Sequence, residues 1–250
     1  MFKPQTTRVN DIANNYRVRI AALEQLFFGT VNIYVDYANV RPWATKLGWN
    51  IDLRRLKQFL YSFNNVASVK FYSGLLLGDI DSEDLDEECK KLFKDDYKTK
   101  SVKILKKSID YSSIKSNSSD LLEQFVRKCL LREYTLDTIE YLNERFRDLN
   151  QIGKLFIEDR KCNFDVEIGT DMALDLERKG VDTFVLWSGD SDFYDPVLKL
   201  LEKGKRVILF ATARKVSSEL NDLGQKGLCI YDIQKIRNFI CYKRQIDLSL

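Results

Sequence analysis

Two carboxylates, Asp190 and Asp192, sit in the run Ser188-Gly189-Asp190-Ser191-Asp192-Phe193, directly after the apolar segment Phe184-Val185-Leu186-Trp187. An apolar run of this kind reads as a buried strand, and the turn after such a strand is where an open α/β sheet presents side chains to a ligand. Asp36 ends a second apolar run, Val31-Asn32-Ile33-Tyr34-Val35. Acidic ends on two strands suggest one shared metal site. Lys161-Cys162-Asn163-Phe164-Asp165 then runs into a helical pattern, which makes Asp165 an N-cap or first-turn residue. Asp171 lies about 120° around that helix from Asp165, at ~100° per residue, so the two do not hold one ion equivalently. Asp171 shares a face with Asp175, and a solvated acidic face is the simpler reading of that pair.

The chain contains no histidine. This excludes histidine-based triads, histidine general bases and His-ligated zinc. Carboxylates gathered in one cleft repel one another unless a cation joins them, and an oxygen-only donor set favours Mg²⁺ or Mn²⁺. Such ions clamp phosphoryl oxygens and lower the pKa of bound water, which permits phosphodiester hydrolysis without a histidine. Each acid also has a plain structural reading. Asp36 can cap a turn or the next helix, and Asp190 can close an Asx-turn on backbone amides. A further segment, Ala211-Thr212-Ala213-Arg214-Lys215-Val216-Ser217-Ser218, offers Arg214, Lys215 and Ser217 beside a helix N-terminus, which suits a phosphate or equally a solvated loop with a serine cap.

These residues must be positioned by an α/β framework. A leading helical stripe (Val9, Ile12, Tyr16, Ile20, Leu23) precedes strand 31–36. The spacing then predicts a helix over 52–63 with Asp52 as N-cap and a strand over 69–72. A helix opening at Asp81 carries an apolar face of Leu85, Cys89, Leu92 and Phe93, and a strand is expected near 102–105. Beyond the polar breaker Ser116-Asn117-Ser118-Ser119, two amphipathic stretches suggest a helical hairpin over about 119–150. The α/β order resumes with a helix over 165–178, strands over 183–187, 207–210 and 228–231, helices over 196–202 and 217–223, and a closing helix over 233–242. The division expected is an N-terminal helical extension over 1–29, a main domain over 30–240 with an insertion at about 116–150, and a tail over 241–250.

The net charge of +3 names no partner. The five cysteines are scattered, with no C-x-x-C pair, and read as small buried hydrophobes in a reducing compartment. No apolar stretch approaches the ~20 residues of a membrane span. The N-terminus has no apolar signal core, so a cytoplasmic location without membrane attachment is the expectation.

The motifs Val35-Asp36-Tyr37-Ala38-Asn39, Lys161…Asp165-Val166…Asp171-Met172 and Ser188-Gly189-Asp190-Ser191-Asp192-Phe193 resemble those of the NYN domain family of the PIN-like nuclease superfamily. The tail Ser217-Ser218-Glu219-Leu220 followed by Cys229-Ile230-Tyr231-Asp232-Ile233 is similar to that family's closing serine, helix and strand. The resemblance spans about residues 30–236. It implies a PIN-like three-layer sandwich, a mostly parallel sheet between helices, with a helical insertion and a Mg²⁺ or Mn²⁺ site at the C-terminal edge of the sheet. It also implies RNA as substrate. Asp36, Asp165 and Asp190 would be the metal-binding carboxylates, Asp192 an additional ligand or water-orienting acid, Asn39 a positioning residue and Asp171 a secondary ligand. Two departures stand out. The stretch around 119–150 is long and would serve as a lid, a surface for a homodimer or an RNA-guiding wall. Lys161 is separated from Asp165 by the bulky Cys162-Asn163-Phe164.

The function expected is a metal-dependent ribonuclease, and the alternative is a non-catalytic RNA-binding or scaffold module of the same fold. A dehalogenase-like phosphohydrolase ranks low, because Ala38 stands where its second aspartate belongs. A dinucleotide-binding fold ranks lower, since no G-x-G-x-x-G follows the first strand. Arg41, Lys46, Arg214 and Lys215 are candidate phosphate contacts, and Tyr37, Trp43 and Trp49 candidate base-stacking residues.

Overall fold

The computed structural model describes residues 1–37, 40, 50–108, 141, 156–178, 180–212 and 216–242. They fall into two compact units, one of residues 1–102 with 162–250 and one of residues 103–161.

The larger unit is built on a sheet of six strands: β1 (Val31–Asp36), β3 (Val66–Leu75), β4 (Tyr97–Ser101), β7 (Thr183–Trp187), β8 (Arg206–Ala211) and β9 (Cys229–Asp232). Their order across the sheet is β4-β3-β1-β7-β8-β9. Every neighbouring pair is parallel. The chain winds outward from β1 to β3 and β4, then returns to the other side of β1 with β7, β8 and β9. The winding therefore reverses between β1 and β7, and open parallel sheets hold ligands at the carboxyl ends of the strands at such a point. Asp36 closes β1, and Ser188 to Asp192 follow β7.

Helices cover both faces, as a sheet buried on both sides requires. On one face α5 (Asp165–Glu177) and α6 (Tyr194–Glu202) lie against the sheet. On the other the core is aromatic. The Phe71 ring stacks on Phe93 at 4.6 Å, and Phe210 meets Trp187 at 5.7 Å and Phe27 at 6.1 Å. Trp187, Phe71 and Phe210 are fully buried. At ~25 cal/mol per Å² of apolar surface, side chains of this size dominate the energy that holds the sheet edge in place.

The leading stripe forms two helices rather than one, α1 (Thr7–Asn15) and α2 (Arg17–Leu26), broken at Tyr16, whose ψ of 38° leaves the helical region. Asp52 caps α3 (Leu53–Leu60), accepting from the Arg55 amide at 2.9 Å. The next helix, α4 (Ile80–Phe93), begins slightly earlier than expected because Asp79 accepts the Ser82 amide. The strand expected at 102–105 is β5 (Lys103–Ser108), which belongs to the second unit, whereas β4 of the large sheet is not among the strands expected from the sequence. The helix at 218–222, α7, is capped by Ser217. The expected closing helix is a 3-10 turn (Ile233–Ile236), then α8 (Arg237–Ile240), then β10 (Cys241–Tyr242), which pairs antiparallel with β2 (Asn50–Ile51).

Gly29 shows why the first strand begins where it does. Its φ is +61°, and a Cβ there would lie 2.2 Å from Asp182 Oδ2, which accepts the Thr30 amide at 2.9 Å. Only glycine fits this turn.

In the second unit β5 pairs antiparallel with β6 (Phe156–Lys161), from Lys103↔Lys161 to Ser108↔Phe156. The expected hairpin over 119–150 lies, apart from the helical residue 141, outside the described residues. Among the described residues no helix is long and apolar enough to cross a membrane.

Candidate metal centre

Asp165, Asp190 and Asp192 each offer a carboxylate oxygen, and these three oxygens lie within 4.8 Å of one another. Local structure at each position brings them together. Asp165 is the first residue of α5, where the helix dipole favours an anion. Phe164, directly before it, is 1% exposed and packs 5.8 Å from the Tyr72 ring, so the bulky residue that departs from the family pattern anchors the helix start in the core. Gly74 of β3 makes room for the approach, since a Cβ there would lie 2.8 Å from Cys162 Sγ.

Asp190 and Asp192 come from the turn after β7. Asp190 caps the 3-10 turn Ser191–Phe193, its Oδ1 accepting the Asp192 amide at 3.3 Å. The Asx-turn and the clustered acid are therefore the same residue in the same geometry. Buried Phe193 pins the turn. Gly189 is not among the glycines with positive φ; its carbonyl accepts the Ser217 amide at 3.1 Å, joining the turn to the start of α7. The Ser217 hydroxyl is occupied as the α7 cap, accepting from the Leu220 amide at 3.3 Å.

Asp36, 5% exposed, does not belong to the three-carboxylate group. It connects to it through Ser188, a residue whose role the sequence did not disclose. The Ser188 hydroxyl donates to Asp36 Oδ2 at 3.3 Å and accepts the Asp190 amide at 3.3 Å. Ser188 is fully buried, so this bridge is shielded from water.

Burial pushes the Asp165 carboxyl above the ordinary carboxylate range, and the charges of Asp190 and Asp192 push it further; Asn163 and Lys100 offset only part of this. Like charges gathered in this way are relieved when a cation sits among them. The donors are all hard oxygens, which suit Mg²⁺ or Mn²⁺.

Asp171 and Asp175 form no solvated face. Both are buried, at 7% and 5% exposure. Asp171 accepts from the Tyr72 hydroxyl and from Lys98 Nζ at 2.7 Å. Asp175 accepts from Lys70 Nζ at 2.7 Å, the Tyr34 hydroxyl at 2.6 Å and Asn32 Nδ2 at 2.8 Å. Burial alone would raise the Asp175 carboxyl, but these donors outweigh it and hold it below its ordinary range. The two tyrosine hydroxyls are pushed far up by burial and by the carboxylates they face. The lysines missed by sequence reading come from β3 and β4, which carry no local sign of an acidic partner. Asp171 is thus engaged by Lys98 and Tyr72, away from the three-acid group.

Tyr37 is 8% exposed and packs 5.0 Å from Phe71, so it is a core residue and does not offer a stacking face. Asn39, Arg41, Trp43, Lys46, Trp49, Arg214 and Lys215 lie outside the described residues.

The NYN domain family model matches residues 109–226, a stretch that contains Asp165, Asp190 and Asp192 and excludes Asp36. The match is consistent with the NYN family of the PIN-like superfamily, a nuclease-like family whose members usually use divalent metals, and the parallel sheet flanked by helices is consistent with the PIN-like fold. No curated protein matches the chain. One solved structure, a protein of unknown function from Vibrio parahaemolyticus, aligns over 86% of this chain and 96% of its own at 17% identity and a TM-score of 0.46.

Proposed function

We propose that the protein is a metal-dependent ribonuclease that hydrolyses RNA phosphodiesters with Mg²⁺ or Mn²⁺ held by Asp165, Asp190 and Asp192. The observation that carries this reading is the convergence of three carboxylate oxygens within 4.8 Å at the end of β7 and the start of α5, with the Asp165 proton affinity raised by burial and by its acidic neighbours. A divalent ion there would supply the positive charge that phosphoryl oxygens need and would acidify a water for in-line attack.

In this reading the chain's own residues have separate tasks. Asp165 and Asp190, half-buried, hold the cation from two different elements. Asp192, exposed, faces the solvent side, where it orients a water or adds a ligand. Asp36 acts through the Ser188 hydroxyl, which fixes both its carboxylate and the Asp190 backbone. The segment with Arg214 and Lys215 before α7 supplies the phosphate contacts, with Asn39 following the neighbouring strand end.

The test is cleavage of single-stranded RNA in Mn²⁺ or Mg²⁺. Wild-type protein cleaves, EDTA stops it, and Asp190→Asn abolishes it while the far-ultraviolet circular dichroism stays native. Unchanged cleavage by Asp190→Asn overturns the assignment. RNA binding with no metal-dependent cleavage by the wild type replaces it with the non-catalytic module.

A further inference from the structure

A polar pocket of about 320 Å³ is lined by Tyr16, Arg19, Gln234, Lys235, Arg237 and Asn238. Among the described residues that line it, three are cations and none is a carboxylate. The acid next along the chain, Asp232, is occupied as the cap of the following turn, accepting the Gln234 amide at 3.0 Å.

The pocket is also pre-arranged. The Arg19 guanidinium lies 4.4 Å over the Tyr16 ring and donates to the Lys235 carbonyl at 2.9 Å. The Tyr16 hydroxyl accepts from Asn238 Nδ2, which holds the ring from its other end. Tyr16 stands at the break between α1 and α2, and its ring also packs edge-on 6.2 Å from Phe239 of α8. A guanidinium already stacked and anchored loses little freedom when it meets an anion, and its planar fork matches phosphate oxygens. Gln234, Lys235, Arg237 and Asn238 are exposed, so the hollow is open along one side. With the Tyr16 ring covered by Arg19, the pocket offers charge and hydrogen bonds rather than a stacking platform. That is the chemistry of backbone contact, which positions a strand without reading its bases.

We propose that this pocket binds a phosphate of a single-stranded RNA backbone, as a holding site separate from the acidic cluster; the choice of RNA rests on the nuclease reading above. The experiment measures binding of fluorescent single-stranded RNA in EDTA, where no cleavage occurs, across a salt series. It compares wild type with Arg19→Gln/Lys235→Gln and with Lys235→Glu alone, an exposed single change that leaves the Arg19 stack in place. Affinity is expected to fall about tenfold in the double variant, with the slope of log K against log salt reduced by about 0.7 for each phosphate no longer neutralised. Lys235→Glu is expected to weaken binding as well. Wild-type affinity and slope in both variants overturn the proposal, as does a wild type that binds no RNA. Loss of inorganic-phosphate binding with RNA affinity intact also overturns it, marking a free-anion site. Cleavage measured in parallel separates the two readings. A wild type that binds through the pocket without cleaving refutes the nuclease and leaves the pocket standing. Cleaving protein whose pocket variants bind normally refutes the pocket alone.

Discussion

Neutralising Asp165 should stabilise the metal-free protein while removing its response to metal. The three carboxylate oxygens lie within 4.8 Å of one another. At that separation a pair of unit charges repels by about 0.9 kcal/mol in a water-like dielectric and about 3.5 kcal/mol at an effective dielectric of 20. Asp192 is exposed and the other two are half-buried, so solvent screening places each pair near the lower figure. Asp165 faces two such neighbours, and burial of its own charge adds a cost of the same sign. Against this stands the helix dipole, which favours an anion at the start of α5 by about 0.3–1 kcal/mol. Two such repulsions together with the cost of burial exceed that favourable contribution. Asp165→Asn should therefore gain about 1 kcal/mol at neutral pH in EDTA, a rise of about 2–4 °C in melting temperature at this chain length. The pH dependence follows from the direction of the shift. A carboxyl whose folded pKa is raised subtracts stability above its unfolded pKa, and the penalty disappears as pH falls through the raised value and then the unfolded one. The advantage of the variant should thus fade toward acid pH, where the wild type protonates Asp165. The assay is thermal unfolding in EDTA from neutral to acid pH, repeated with excess Mn²⁺, which should raise the wild-type melting temperature by mass action and leave Asp165→Asn nearly unmoved. A variant less stable than wild type at neutral pH, or equally stabilised by Mn²⁺, refutes the reasoning.

Lys70→Met leaves Asp175 buried with its Tyr34 and Asn32 donors but without its closest cation, and should cost about 2–4 kcal/mol in urea unfolding at neutral pH. The wild-type contribution is present above the unfolded pKa of Asp175 and lost as pH falls through its depressed folded value, so the difference between the two proteins should shrink in acid; a difference independent of pH sinks the account. Gly29→Ala must hold a φ of +61° and displace the Asp182 carboxylate, and should cost more than about 1 kcal/mol in the same assay, with a neutral result showing that the turn can re-form elsewhere.

The parts of this architecture that could be read in advance are those whose cause is local. Asp52 and Ser217 announce their helices because a cap acts within three residues of itself. Thr183 to Trp187 reads as a strand because burial on both faces needs an unbroken apolar run. The sharp ends of β1 and β7, and with them Asp36 and Asp190, follow from the same logic. What was hidden depends on partners far along the chain. Tyr72 and Asp171 are 99 residues apart, and Asn32 and Asp175 are 143. No local pattern tells Asp171 and Asp175 that lysines and tyrosines await them, so their buried state read as a solvated face. The break at Tyr16 was hidden for the opposite reason: the apolar stripe continues through it, because Tyr16 and Ile20 both pack on the core even though the backbone between them changes direction. Ser188 looked like ordinary turn material, and only the parallel register of β1 with β7 sets its hydroxyl beside Asp36.

The same helix carries both kinds of acid, and the contrast separates structural carboxylates from those of the site. Glu167, Asp171 and Asp175 recur every four residues, so they form one stripe along α5. Each meets a lysine of the sheet beneath: Lys100 at 2.6 Å, Lys98 at 2.7 Å and Lys70 at 2.7 Å. Lys98 and Lys100 alternate on β4, so they point to the same face, and Lys70 continues the line on β3. Three pairs in register resist any sliding or rotation of α5 on the sheet. Asp165, two residues before the stripe, faces Asp190 and Asp192 instead. Its raised proton affinity is therefore a strain the helix cannot relieve by moving, since movement would break three ion pairs at once, two of them on buried carboxylates. A charge conflict that the fold could relax would be an accident of packing. One backed by three matched pairs is what a cation in the proposed site would relieve.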